Sequence, residues 1–348
     1  MRDAGGIGRP GPVRRPRAVD VAARAGVSVA TVSFVVNGKA EGRVSPATRL
    51  RVLDAIAALG YVTDASARAL ATGRRRQVAL LAHDMTNPFT AQVAAGAATG
   101  IAEATDGTGH LLLLLAAGLD EPDVEPVGAA TVDGVLINYP GTLPAGRPDL
   151  PVVHLDDPAA GGHQVSLDVA VGARELARHL ADLGHRHVVH LDSNRPWSTF
   201  AERRAAFADE FARLVPGAVV TDDRCDIDLA AARDHAAQRA EGWRRSGATA
   251  VVAATDVQAL GVLAGLHGAG VAVPGQLSVA GFDDIPFAEV SAPPLTTVAL
   301  PARELGHRGA VLLAQVIEDP AAPPGEPVVL PAHLVVRGST GPATDLIR

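Results

Sequence analysis

Two kinds of hydrophobic pattern divide this chain. Up to about residue 60 the apolar positions recur at helical spacing; from residue 78 onward short, unbroken apolar runs alternate with helical stretches. In AVDVAARAGVSVATVSFVV (18–36), Val21, Ala25, Val27, Val32 and Val35 can share the inner face of two short helices meeting at an angle. Ala22 is small where such helices would cross, and Gly26 suits a left-handed turn between them. Ser28, with Thr31 three residues on, suits the N-cap of the second helix. The spacing is that of a helix-turn-helix, and it also fits an ordinary helical hairpin in a core. A third helix is expected next, capped by Ser45, opened by Pro46 and ended by Gly60. Its Leu50, Leu53, Ile56 and Leu59 are expected to pack on the first two helices.

Beyond residue 77 the strand-like runs are VALLAHD (78–84), LLLLLA (111–116), DGVLINY (133–139), PVVHLD (151–156), HVVHLD (187–192), AVVAATD (250–256) and LSVAGFDD (277–284). Helical stretches such as 170–183 and 257–268 lie between them. Such alternation predicts an α/β body, with parallel sheets covered by helices on both faces. Ligands of these folds bind at the carboxyl ends of the strands. Asp84, Asp156, Asp192, Asp256 and Asp283 end runs here, so a ring of acceptors around one cleft is expected. For each carboxylate the competing job is a helix N-cap after a strand.

Composition changes the picture in two ways. The chain is 47% hydrophobic but only 3% aromatic, so its cores must be built from Ala, Val and Leu. Charge is unevenly divided: residues 1–76 hold 14 Lys and Arg against 5 Asp and Glu, whereas the rest hold 17 against 33. A small basic head on an acidic body predicts that the head alone meets a polyanion. No apolar run approaches the roughly 18 residues of a membrane span. The Arg-, Gly- and Pro-rich residues 1–17 read as a disordered basic tail rather than a secretory signal. With Cys225 as the single cysteine, no intrachain disulfide is possible. These features point to the cytoplasm, with no membrane partner.

Catalytic signatures are weak. No Walker-type phosphate loop, GxSxG or HExxH is present. His185, His187 and His190 have a metal-like spacing, but on a strand His185 and His187 share a face and His190 points away. No metal, cofactor or enzymatic activity is expected.

The run from Asp20 to Arg76, DVAARAGVSVATVSFVVNGKAEGRVSPATRLRVLDAIAALGYVTDASARALATGRRR, resembles the head of LacI/GalR-family repressors. NPF (87–89), LGHR (183–186), VAGFDD (279–284) and LTT (295–297) extend the resemblance through the body. It implies a sequence-specific DNA-binding transcriptional repressor, with a helix-turn-helix domain at 18–64, a hinge helix and linker at 65–77, and an effector-binding and dimerisation domain at 78–348. The body would be a two-lobed, periplasmic-binding-protein-like fold. One lobe would take 78–163 with 302–319, the other 164–301 plus a final strand at 327–339.

The resemblance also implies roles. Val29, Ala30 and Phe34 would lie nearest the bases in the major groove, with Ser28, Thr31, Ser33 and Asn37 on phosphates. In the hinge, Leu70 would wedge into the minor groove beside Ala67 and Arg68; a core leucine in a linker helix is the plainer reading of Leu70. The family commonly has arginine where this chain has Phe34, which cannot bind guanine bidentately but can touch a thymine methyl. Weaker hydrogen-bond readout and more reliance on DNA shape are therefore expected. The implied partners are a pseudo-palindromic double-stranded operator, a second copy of the chain in a homodimer, and a small-molecule effector such as a sugar or polyol. Effector contacts would come from His83, Asn87, Phe89, Asp156, Trp197, Arg203, Thr255 and Asp283, with Trp197 either stacking on the ligand or capping a lobe. Other uses of such a body are a solute-binding protein and a sugar- or nucleotide-modifying enzyme.

Overall fold

The computed structural model describes residues 16–36, 38, 40–61, 75–105, 110–116, 132–139, 150–157, 159–195 and 197–344. They fall into two compact units divided between Arg75 and Arg76.

In the first unit, α1 (Ala18–Ala25) and α2 (Val29–Val36) meet at 104°. Gly26 makes the turn at φ 64°, a conformation that costs a residue with a Cβ. The Thr31 amide donates to Ser28 Oγ at 3.1 Å, capping α2. Helix α3 (Pro46–Leu59) opens on Ser45, whose Oγ accepts from the Thr48 amide, and stops at Gly60 in the left-handed region. Val21, Ala22, Ala25, Val32, Val35, Ala40, Val52 and Ala55 form the core, with Val27, Ile56 and Leu59 packed at its edge. Leu50 and Leu53 correct the expected face of α3: they are 62% and 43% exposed. Valine and alanine line α1 where the helices cross, and that narrow space takes Val52 and Ala55 rather than two leucines.

The second unit has two six-stranded sheets. The first contains β1 (Gln77–Ala82), β2 (Leu111–Ala116), β3 (Gly134–Asn138), β4 (Val152–Leu155), β5 (Gln164–Asp168) and β11 (Val328–Pro331), in the order β11-β5-β4-β3-β1-β2. The second contains β6 (His187–Ser193), β7 (Val219–Cys225), β8 (Ala250–Ala253), β9 (Ser278–Asp283), β10 (Thr296–Ala299) and β12 (His333–Val335), in the order β12-β10-β9-β8-β6-β7. All pairings are parallel except β12 on β10.

Helices α4 (Pro88–Ala104) and α10 (Ala302–Glu318) pack with the first sheet. Helices α5 (Val169–Asp182), α6 (Ser198–Leu214), α7 (Leu229–Arg245), α8 (Asp256–Gly268) and the short α9 (Pro286–Val290) belong with the second. The lobe boundaries differ from expectation at two places. Strand β5 lies in the first sheet, so the chain first crosses after Asp168 and not at residue 163. The anticipated last strand is two strands: β11 extends the first sheet beside β5, and two residues later β12 joins the second. Leu330 and Ala332 are buried between them, so the apolar pattern runs on through the break. The chain thus passes between lobes three times, after β5, β10 and β11.

Candidate functional site

The carboxyl ends of both sheets border a cavity of about 510 Å³, within the usual size of a small-molecule site. All eight residues assigned to effector contact line it: His83, Asn87, Phe89, Asp156, Trp197, Arg203, Thr255 and Asp283. Of the expected ring of carboxylates, Asp84, Asp156 and Asp283 are present and Asp192 and Asp256 are not. Asp256 opens α8 and instead accepts from Thr297 Oγ1 at 2.6 Å and the Ile285 amide at 3.0 Å, which ties β9, β10 and α8 together. Asp192 accepts from the Ser193 amide. A strand-end carboxylate beside unpaired amides is taken up by them unless the chain turns it into the cleft.

Arg203, on α6, is 3% exposed. Its Nη1 donates to the Ala254 carbonyl at 2.8 Å and to Asp283 Oδ1 at 3.3 Å. The guanidinium lies 5.2 Å from the ring centres of both Phe200 and Phe282, while its Nε has no partner among the described residues. A planar cation held by its faces keeps its edge donors available. Trp197 stacks on Phe200 at 5.5 Å, and His83 meets Trp197 edge-on at 4.9 Å, completing an aromatic wall. Phe200 also belongs to that wall and was not anticipated. Neither was Thr199, whose hydroxyl donates to Asp156 Oδ2 at 3.2 Å.

Neither Asp156 nor Asp283 is an N-cap residue. Asn87 and Thr255 are, accepting from the Phe89 and Gln258 amides, so these two have a structural task besides facing the cavity. Asp283 does take the first amide of α8 from the neighbouring strand. Asp156 and Asp283 hold φ angles of 57° and 120°, a region costly for side chains other than glycine. Strain of this kind clusters where a side chain must be aimed.

Burial pushes the Asp156 carboxyl up to about 6, against the pull of Arg203 and the Thr199 hydroxyl. Burial also pushes Asp283 up to about 7, with Arg203 lowering it and Asp156 raising it. Asp256 is raised by burial and by Asp283. One guanidinium therefore faces more carboxylates than it can keep charged. Between the unfolded carboxylate value and these raised values the folded chain holds protons that the unfolded chain has released. Stability from these groups is complete below about pH 4 and is lost as pH rises through 6 to 7. His185 and His190, pushed down to about 4 by burial, act in the opposite sense between about pH 4 and 6.5. The carboxylates are isolated by difference: the parent's Tm minus that of Asp283→Asn should fall from about pH 5.5 to about pH 8 in the empty protein. A pH-independent difference would contradict the raised Asp283.

The three histidines do not converge. His185 pairs with Thr249 and the Gly341 carbonyl, His187 with Thr221 and the Ser246 carbonyl, and His190 is buried near Phe207.

In the first unit, Ser28 at the cap of α2 and Val29, Ala30 and Ser33 on it are exposed, and Phe34 is half-buried on the face opposite Val32. Thr31 Oγ1 bonds Ser28 Oγ at 2.9 Å. Asn37, Ala67, Arg68 and Leu70 lie outside the described residues, as does nearly all of the N-terminal tail. No single helix among the described residues is long and apolar enough to cross a membrane.

Residues 19–64 match the family model for bacterial regulatory proteins of the lacI family, and 177–340 match a periplasmic binding protein-like domain. The HTH-type transcriptional regulator DegA of Bacillus subtilis is 30% identical, over 93% of this chain and 97% of its own. Among solved structures, the lac repressor dimer bound to operator and the anti-inducer ONPF has TM-score 0.80 at 25% identity, covering 94% of this chain and all of that one. A complex of the transcriptional regulator CelR with cellobiose has TM-score 0.65 at 29% identity, covering 93% and 100%. Head, two-lobed body and relatives agree: this chain belongs to the LacI family of bacterial regulatory proteins, a DNA-binding transcriptional regulator.

Proposed function

We propose that the protein is an operator-binding repressor whose DNA affinity is switched by a neutral, hydroxyl-rich ligand, a sugar or polyol, held between the lobes. The observation that carries this reading is Arg203, buried beside Asp283 with its edge donors and the Asp156 carboxylate at one cavity wall and the Trp197–Phe200 stack at another. Hydroxyl groups donate and accept at once, so they satisfy a guanidinium and a carboxylate together in a dry site. The apolar face of a sugar ring suits an aromatic wall. The cellobiose complex of CelR supports the same ligand class.

Ser28, Thr31, Ser33 and Asn37 would hold phosphates while Val29, Ala30 and Phe34 face the bases, with Ala67, Arg68 and Leu70 as the hinge. A single head reads a half-site, so a two-fold operator calls for a homodimer, as in the lac repressor complex with operator. Ligand binding between lobes that share three crossovers changes their closure and thereby the fit of paired heads to DNA.

A thermal-shift series on the full chain tests the pocket, using cellobiose, ribose and other neutral sugars and polyols. A ligand at 100 times its Kd is expected to stabilise the protein by ~2.7 kcal/mol. Stabilisation by nucleosides alone, with none from sugars or polyols, would contradict the ligand class.

A further inference from the structure

The DNA-facing surface of α2 carries no charge: Val29, Ala30, Ser33 and Phe34 are apolar or hydroxyl-bearing. Yet the Phe34 ring is not bare. The guanidinium carbon of Arg43 lies 5.3 Å from its centroid. Phe34 sits one turn beyond Ala30 on the face of α2 opposite Val32, so the stacked guanidinium sits beside that reading surface.

The backbone under Arg43 is fixed. Ala40 is buried, and its carbonyl accepts from the Arg43 amide at 3.1 Å and the Val44 amide at 2.9 Å. Gly42 supplies the positive φ of 69° that this turn requires. Ser45 then caps α3, anchoring the other end of the turn. Arg43 itself is exposed and makes no ion pair among the described residues. Its guanidinium contacts the Phe34 ring. Stacking on a ring leaves the in-plane N–H pair free, and that pair matches guanine O6 and N7 in the major groove. A flexible arginine loses side-chain freedom on binding, and a ring that already holds it flat reduces that cost.

We propose that Arg43 is a specificity-determining residue of the head, donating two hydrogen bonds to a guanine in each operator half-site, with Phe34 as the positioning residue that holds it there. The proposal rests on the reading of α2 as the recognition helix. The cation missing from the helix is supplied by the turn that follows it, and the phenylalanine becomes its platform.

The test is operator selection with the full-length protein, followed by binding measurements on the selected site and all its single-base variants. Arg43→Met is expected to lose discrimination at one G·C pair per half-site by about 5- to 150-fold, with preferences elsewhere unchanged. Phe34→Leu should weaken preference at the same position and add little once Arg43→Met is present, whereas Phe34→Tyr keeps the ring and the parent's preference. Because Arg43 is exposed, its variants leave the thermal unfolding of the head intact, so a loss at that base is not a folding defect. A uniform loss across all sequences, with the salt slope reduced by about one contact, would overturn the proposal in favour of a phosphate contact. Additive effects of the two substitutions, or none at all, would overturn the platform. Failure of the parent to select any sequence would instead sink the recognition-helix reading on which the proposal stands.

Discussion

Arg203→Met should abolish the response to ligand while the protein still binds its operator. The guanidinium is buried at the cavity, fixed by the Ala254 carbonyl, Asp283 and two aromatic faces. Losing a hydrogen bond from a buried charged donor to a neutral ligand costs about 1.5–3 kcal/mol of ligand affinity, roughly 10- to 150-fold. Methionine fills much of the same volume and keeps α6 helical. The bared carboxylates have an escape, because Asp156 and Asp283 already sit at about 6 and about 7 and would rise further without Arg203. The variant should therefore fold best below pH 7 and there show operator binding within a few-fold of the parent. Calorimetry with the sugar that stabilises the parent checks the first half; DNA binding checks the second. Retained ligand affinity would remove Arg203 from the site.

Gly306→Ala should destabilise the body by at least ~1–3 kcal/mol, although it adds a single methyl group to a helix. Helices α4 and α10 cross with their backbones in contact: a Cβ on Gly306 would overlap the Val93 carbonyl, and Gly96 and Gly100 meet Arg303 and His307 in the same way. Neither backbone can yield without parting the helices and opening the core around Val93, Ala97 and Leu305. Gly242, within α7, has nothing within 4 Å of its notional Cβ, so Gly242→Ala should stabilise by about 0.5–1 kcal/mol through helix propensity alone. Denaturant midpoints of the two variants read the opposite signs. Equal, small effects would contradict the close crossing.

What could be read in the sequence follows from how local each determinant is. Gly26, Ser28, Ser45, Pro46 and Gly60 mark their helix ends correctly because a cap or a left-handed turn involves neighbours within one turn of chain. The buried face of α3 is not legible locally, because only the tertiary crossing reveals that Val52 and Ala55 fit where Leu50 and Leu53 do not. Strand β7 leaves no apolar signal because it is an edge strand, exposed along most of its length, so VVTDDRC has no apolar run. Strands β5 (QVSLD) and β10 (TTVA) carry polar residues within their five and four positions, so neither forms the unbroken apolar run that marks β8. The cavity residues came from resemblance at matching positions, and all eight do line it. Their partners were illegible: Asp283 lies 80 residues from Arg203, and Thr199 lies 43 from Asp156. Arg43 is the same case at shorter range, since no spacing rule links a loop arginine to a ring on the preceding helix.

The switch itself is the central claim, and operator affinity measured with and without the stabilising sugar tests it most directly. With full-length protein at fixed salt, saturating sugar is expected to change the operator Kd by about 5- to 150-fold, and saturating operator must change the sugar's Kd by the same factor. An operator Kd unmoved by a sugar that demonstrably fills the Arg203 pocket would contradict it.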